Sequence, residues 1–159
     1  MKNEPIIFHT LVHWIGNKKG ILKADDVAGN IYVSTPPQFG GEGKDWSPEH
    51  LLLGAVNSCF MSTLLAFARK FGVAISNFEC VVTGQIELVN GHYEFTQVDI
   101  YPKLYIVEEE QRGKAEQLLL TTSKHCLVTA SLKCRVVYHT EIYHGYKPAA
   151  GQPKAQVLQ

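Results

Sequence analysis

Cys59 and Cys126 are the two residues of this chain best equipped to do chemistry together. They stand 67 residues apart with no CxxC between them, so neither a zinc ribbon nor a thioredoxin-type motif accounts for them. Cys59 lies within a long apolar segment opened by Ser47-Pro48-Glu49. Cys126 lies in Lys124-His125-Cys126-Leu127-Val128-Thr129, where a second helical segment restarts. Two solitary cysteines carried on helices point to a nucleophile and a distant partner that folding brings together, hence to thiol redox chemistry. An ordinary thiol has a pKa of ~8.5 and is only a few per cent thiolate at pH 7. Reactivity therefore needs a positive neighbour, a helix N-terminus or a hydrogen-bond donor at the sulfur. Cys59, ten residues past Glu49, is too deep in its helix to draw on the dipole, and its activation must come from a side chain supplied elsewhere. Cys126 is better placed, near a helix start and next to His125.

The plainer alternative stands beside this one. A free cysteine in a helix of Leu, Ala and Phe fits a small core residue, although Asn57 and Ser58 flank Cys59 on the same apolar helix. Cys80 shares a strand face with Phe78 and Val82, and Cys134 opens a strand beside Val136 and Tyr138, so both read as core. The histidines are dispersed. A metal site built from His125, Cys126 and Cys134 fits no zinc spacing, and no metal is expected. Lys18-Lys19 reads as a hairpin tip, and Gly40-Gly41-Glu42-Gly43 lacks the Lys-Ser/Thr of a phosphate loop.

The elements that must position the cysteines follow from hydrophobic periodicity and turn residues. Residues 6–15 are β-branched and aromatic and predict a strand, which turns at 16–20 and returns over 20–24. Residues 31–35 predict a third strand. Pro36, Pro37, Gly40, Gly41 and Gly43 then make 36–46 a loop without regular structure. Ser47 is a good N-cap, Pro48 suits the first helical position and Glu49 complements the dipole. The helix runs to Phe71, with Gly72 as its stop. Leu52, Val56, Cys59, Thr63, Ala66 and Lys70 share one face. It is apolar around most of its girth, as expected of a central helix covered on both sides or covered by a second subunit. Residues 78–89 and 93–107 form a hairpin about Asn90-Gly91. A helix over 108–123, a break at Lys124-His125, a short helix over 126–132 and a strand over 134–143 complete the pattern. The order is β-β-β-α-β-β-α-α-β, an α+β layout with helices on one side of a sheet.

Composition sets the outer limits. Lys and Arg number 15 against 15 Asp and Glu, and a net charge of zero gives no general attraction for nucleic acid or an anionic membrane. No stretch contains ~18 uninterrupted apolar residues, and the N-terminus lacks a signal-peptide layout. A cytoplasmic location with reduced thiols is expected. Residues 1–144 are read as one domain and 145–159, with Pro148, Gly151 and Pro153, as a polar tail.

The sequence around the two cysteines resembles the OsmC/Ohr family. The resemblance is carried by Thr35-Pro36-Pro37-Gln38-Phe39-Gly40-Gly41, Ser47-Pro48-Glu49-His50-Leu51-Leu52 and Ala55-Val56-Asn57-Ser58-Cys59-Phe60, and then by 125–133, HCLVTASLK. It covers residues 6–143 and implies an intertwined homodimer, with β-sheet wrapped around two long central helices. It further implies reduction of organic hydroperoxides by two cysteines with no metal or cofactor. Cys59 would become a sulfenic acid, Cys126 would resolve it as a disulfide, and an external dithiol such as a dihydrolipoyl group would reduce that. Glu49 matches the family's active-site carboxylate. The resemblance departs from the pattern at the arginine that pairs with this Glu, where the chain offers Gln38 in one position and Lys18 or Lys19 in the other. Leu127 also stands where peroxidase members have Pro. Lys18 and Lys19 are the candidate basic partners, but a lysine cannot reproduce a bidentate guanidinium–carboxylate pair. The rival function is a non-catalytic ligand-binding or redox-sensing protein on the same scaffold. Thioester chemistry ranks last, because no histidine is placed by motif to serve it as a base.

Overall fold

The computed structural model of the chain describes residues 4–145. They divide into two compact units, one ending at Leu52 and one beginning at Leu53. The expected tail lies, apart from Gly145, outside the described residues.

In the first unit β1 (Leu11–Gly16), β2 (Lys19–Lys23) and β3 (Ile31–Ser34) form an antiparallel sheet in that order. The first strand starts at Leu11 rather than at residue 6. Leu11 pairs with Lys23, the last residue of β2, so residues 6–10 find no ladder, and Ile6 and Phe8 are each 85% exposed. Gly16 (φ 109°) and Asn17 (φ 49°) make the β1–β2 turn, and the Asn17 carbonyl accepts the Trp14 indole N–H at 2.8 Å. The Pro/Gly loop is not wholly irregular, as Pro37–Phe39 form one 3-10 turn closed by Gly40 at φ 76°. Gly41 admits no side chain, because a Cβ there would lie 1.6 Å from the Thr35 carbonyl oxygen.

Helix α1 (Pro48–Phe71) matches its sequence signals at both ends. The Ser47 Oγ accepts the His50 backbone N–H at 3.3 Å and lies 2.9 Å from His50 Nδ1, while Gly72 takes φ 62° after Arg69 and Lys70. The fully buried stripe is Val56, Phe60, Leu64 and Ala68. This is a four-residue ridge lying next to the expected face, so Cys59 and Thr63 are half-buried and Ala66 is exposed. Although no apolar run is unbroken, an 18-residue window of α1 reaches a mean hydropathy of 1.8, enough by length and composition for a membrane span, and only 22% of it is buried. It is an apolar helix largely uncovered by its own chain.

In the second unit β4 (Ile75–Val89) and β5 (His92–Ile106) pair antiparallel about Asn90 (φ 50°) and Gly91 (φ 85°), as the turn residues predict. Along β5 the buried residues alternate: Val98, Ile100, Pro102, Leu104 and Ile106. They form the core with the α1 ridge and with Ala115, Leu118 and Leu119 of α2 (Arg112–His125). Glu109–Gln111 form a 3-10 turn ahead of α2. The helix passes through Lys124-His125, where a break was expected, and stops at Cys126, whose backbone is extended (φ −69°, ψ 109°). A single turn, α3 (Leu127–Ala130), follows.

The last strand of the sequence reading is two strands, β6 (Arg135–Tyr138) and β7 (Glu141–His144), both parallel to β5. Both keep the same register against β5, so they form one edge interrupted opposite Pro102. Pro102 has no N–H to give that edge, and the ladder cannot run through it. The α+β class is the one observed, but with two sheets, one of three strands and one of four, where a single sheet was expected.

Candidate functional site

Folding brings Cys59 and Cys126 side by side. Around the Cys59 sulfur on α1 stand four groups able to donate to it: the backbone N–H groups of Val128 and Leu127, the Cys126 thiol and the Thr63 hydroxyl. Burial pushes the Cys59 thiol up, yet these four donors together outweigh it, and its pKa falls below the ordinary thiol value. The amides are free for this task because Cys126 breaks the helix. With its extended ψ the chain restarts α3 at Leu127, and the first N–H groups of a helix have no intrahelical acceptor.

Cys126 has no exposed surface. Burial raises its pKa, the Thr129 amide opposes the rise, and the neighbouring Cys59 adds to it. The two sulfurs are thus unlike in character: a half-buried one biased toward thiolate and a buried one held as thiol. The arrangement suits attack by Cys59 on an electrophile, followed by disulfide formation with Cys126. His125 does not assist Cys126. Its Nδ1 lies 2.8 Å from the Thr121 carbonyl oxygen and its ring packs against Phe67 at 5.1 Å, on the exposed side of α2.

Glu49, Lys18 and Lys19 belong to the first unit. Glu49 is in the first turn of α1, and its Oε2 is buried with no hydrogen-bond partner among the described residues. The Lys18 ammonium donates to the carbonyls of Phe39 and Gly40, both at 3.1 Å, and so caps the 3-10 turn. The Lys19 ammonium is 3.0 Å from Glu42 and 3.9 Å from Asp45. Both candidate basic partners are therefore employed in holding the Pro/Gly loop. Cys80 faces its own strand environment, where burial pushes its thiol up to about 11 against a single opposing backbone N–H from Tyr101. Among the described residues no group of three or more His, Cys, Asp or Glu side chains is placed to hold a metal ion.

Three residues of the site were not singled out in the sequence. Thr63 was legible, since it lies one helical turn after Cys59 on the expected face. Thr129 was weakly legible, three residues after Cys126. Tyr138, whose phenol reaches Thr129 Oγ1 at 3.2 Å, had no local signal, because its strand meets the α2–α3 elbow only in the tertiary structure.

An α+β scaffold that juxtaposes two chemically unlike thiols, one on a long apolar helix and one at a helix elbow, defines the class. The family model for OsmC-like proteins matches residues 41–141, and the chain belongs to that family. Among curated proteins it is similar to the uncharacterised protein YmaD of Bacillus subtilis, 20% identical over 139 residues, 84% of this chain and 91% of that protein. Among solved structures it resembles an OsmC-like protein of unknown function from Vibrio cholerae, with TM-score 0.77 and 16% identity, covering 86% of this chain and 99% of that one. An organic hydroperoxide resistance protein from Elizabethkingia anophelis superposes with TM-score 0.70 and 18% identity, over 91% of this chain and all of that one. At these identities the structural likeness establishes the fold.

Proposed function

We propose that this protein is a thiol-dependent peroxidase that reduces organic hydroperoxides. The observation that carries the reading is the pairing of Cys59, its pKa lowered by amide and hydroxyl donors, with the buried Cys126 thiol. The hydroperoxide resistance protein among the structural relatives supports the substrate class. The Cys59 thiolate attacks the distal oxygen of the hydroperoxide; the O–O bond breaks, the alcohol leaves with a proton, and Cys59 becomes a sulfenic acid. The Cys126 sulfur then attacks Cys59, water leaves, and a disulfide forms. An external dithiol such as a dihydrolipoyl group returns both thiols, itself becoming a disulfide. No cofactor enters these steps. Glu49 is carried over from the family resemblance as the site carboxylate, whereas the candidate basic partners Lys18 and Lys19 bond the Pro/Gly loop instead. Four cysteines without disulfide-type spacing support work in a reducing compartment such as the cytoplasm.

We infer a homodimer from the surface. Ile6, Ile7, Phe8, Val12 and Trp14 are exposed, and α1 leaves most of its apolar girth uncovered. A second copy is the covering that the family resemblance supplies.

The test is consumption of cumene hydroperoxide with dihydrolipoamide by wild type, Cys59→Ser and Cys126→Ser. Turnover in wild type, abolished in both variants, is expected, along with a Cys59–Cys126 disulfide after peroxide treatment. Equal and slow consumption in all three would overturn the reading. That outcome would favour a ligand-binding or redox-sensing protein on the same scaffold, which the commitment of Lys18 and Lys19 to the loop supports.

A further inference from the structure

We propose that Thr129 and Tyr138 form a latch that positions the α2–α3 elbow, keeping Cys126 and the amides of Leu127 and Val128 aimed at Cys59. The consequence for turnover rests on the peroxidase reading; the effect on Cys59 itself does not.

Helix α3 has four residues and one turn, too short to hold its own direction. It hangs from Cys126, where the backbone is extended. Val128 packs against the core, and the side-chain bonds that tie α3 to α2 come from one strand. The Tyr138 phenol on β6 lies 3.2 Å from the Ser123 carbonyl oxygen, in the last turn of α2, and 3.2 Å from Thr129 Oγ1, in α3. Its single proton thus bridges both sides of the elbow. The Thr129 hydroxyl donates to the Cys126 carbonyl at 3.0 Å, which leaves its oxygen free to accept from Tyr138. Thr129 is only 7% exposed, so water offers little substitute. The Tyr138 ring also packs on Phe60, centroids 5.8 Å apart, and Phe60 follows Cys59 on α1. One side chain therefore touches all three segments that bring the two sulfurs together.

Hydrogen bonds to a sulfur anion weaken steeply as the donor is misaimed. Loss of the latch lets α3 tilt, and the Cys59 thiolate loses donors that no cation replaces. The titratable groups on the neighbouring segments are Cys126 at the elbow, Tyr138 on β6, His125 at the end of α2 and Cys80 on β4. Burial raises the Tyr138 phenol above its ordinary value and charge on either sulfur adds to the rise, so Tyr138 stays a proton donor where Cys59 titrates.

The experiment is the pH dependence of iodoacetamide alkylation, read at the Cys59 peptide by mass spectrometry, with melting temperature measured alongside. Wild type, Tyr138→Phe, Thr129→Val and Thr129→Ser are compared. Tyr138→Phe and Thr129→Val should move the alkylation midpoint upward and cut the rate near pH 6 about threefold or more. Thr129→Ser keeps the hydroxyl and should restore the wild-type midpoint. Tyr138→Phe removes one oxygen and keeps the ring, so it carries the test if Thr129→Val fails to fold. A lowered melting temperature with an unmoved midpoint in Tyr138→Phe would show a merely structural role and overturn the latch. Shifted midpoints in a protein that consumes no hydroperoxide would leave the latch standing and remove the peroxidase reading. Turnover with unmoved midpoints would do the reverse.

Discussion

At Cys59 burial and hydrogen bonding oppose each other, and four donors prevail without any charged neighbour among the groups acting on the sulfur. At Cys126 and Cys80 the donors are fewer relative to burial, and the thiol form is favoured. The order of reactivity follows. At neutral pH, limited alkylation followed by peptide mapping should modify Cys59 first, with Cys126 and Cys80 much slower. Cys80 also gives a pH signature. Its folded-state pKa of about 11 lies above the ordinary thiol value of ~8.5, so its contribution to stability is whole below that value and is lost as pH rises through 11. The change is at most about 2 kcal/mol, at 1.36 kcal/mol per pKa unit with some screening. Urea midpoints measured from pH 8 to 11 should fall, and Cys80→Ala should flatten the fall. Cys59 has the opposite sign: its depressed pKa contributes stability that is present above the unfolded-state thiol pKa and fades as pH drops through the folded value.

Helix α1 is the element whose residues agree at every level. The Ser47 cap, Pro48, Glu49, the unbroken helical pattern and Gly72 all specify the same 24 residues. Ser47→Ala removes the acceptor for the His50 N–H and should cost about 1 kcal/mol in chemical denaturation. Leu64→Ala opens a cavity in the fully buried ridge and should cost about 2–5 kcal/mol by the same measurement. The C-terminal edge strand is the contrary case. Residues 135–144 carry no proline or glycine to interrupt them, so the sequence reads as one strand. The interruption comes from Pro102 on a neighbouring strand, and no periodicity in 135–144 could reveal it.

For the whole molecule the surface is as informative as the core. Trp14 is 77% exposed on β1, and α1 presents Met61 and Ala66 outward. Sedimentation velocity should find a particle of twice the chain mass, and Trp14→Asp should raise its dissociation constant at least tenfold, as aromatic anchors at interfaces do. A wild-type monomer at micromolar concentration would sink the dimer.

The sequence by itself determined the α+β class, the ends of α1 and the Asn90-Gly91 hairpin, and it singled out the two cysteines that the fold sets side by side. These depend on local rules: cap residues, positive-φ turn positions, hydrophobic periods and two short motifs. The tertiary structure decided the rest. That Cys59 is served by the amides of Leu127 and Val128 depends on a helix break at Cys126, which the sequence had placed two residues early. That Lys18 caps a 3-10 turn, and that Tyr138 bridges Ser123 and Thr129, depends on contacts between segments far apart in the chain. A hydrogen bond is fixed by distance and direction in space, and sequence spacing encodes those only within a turn or a single element.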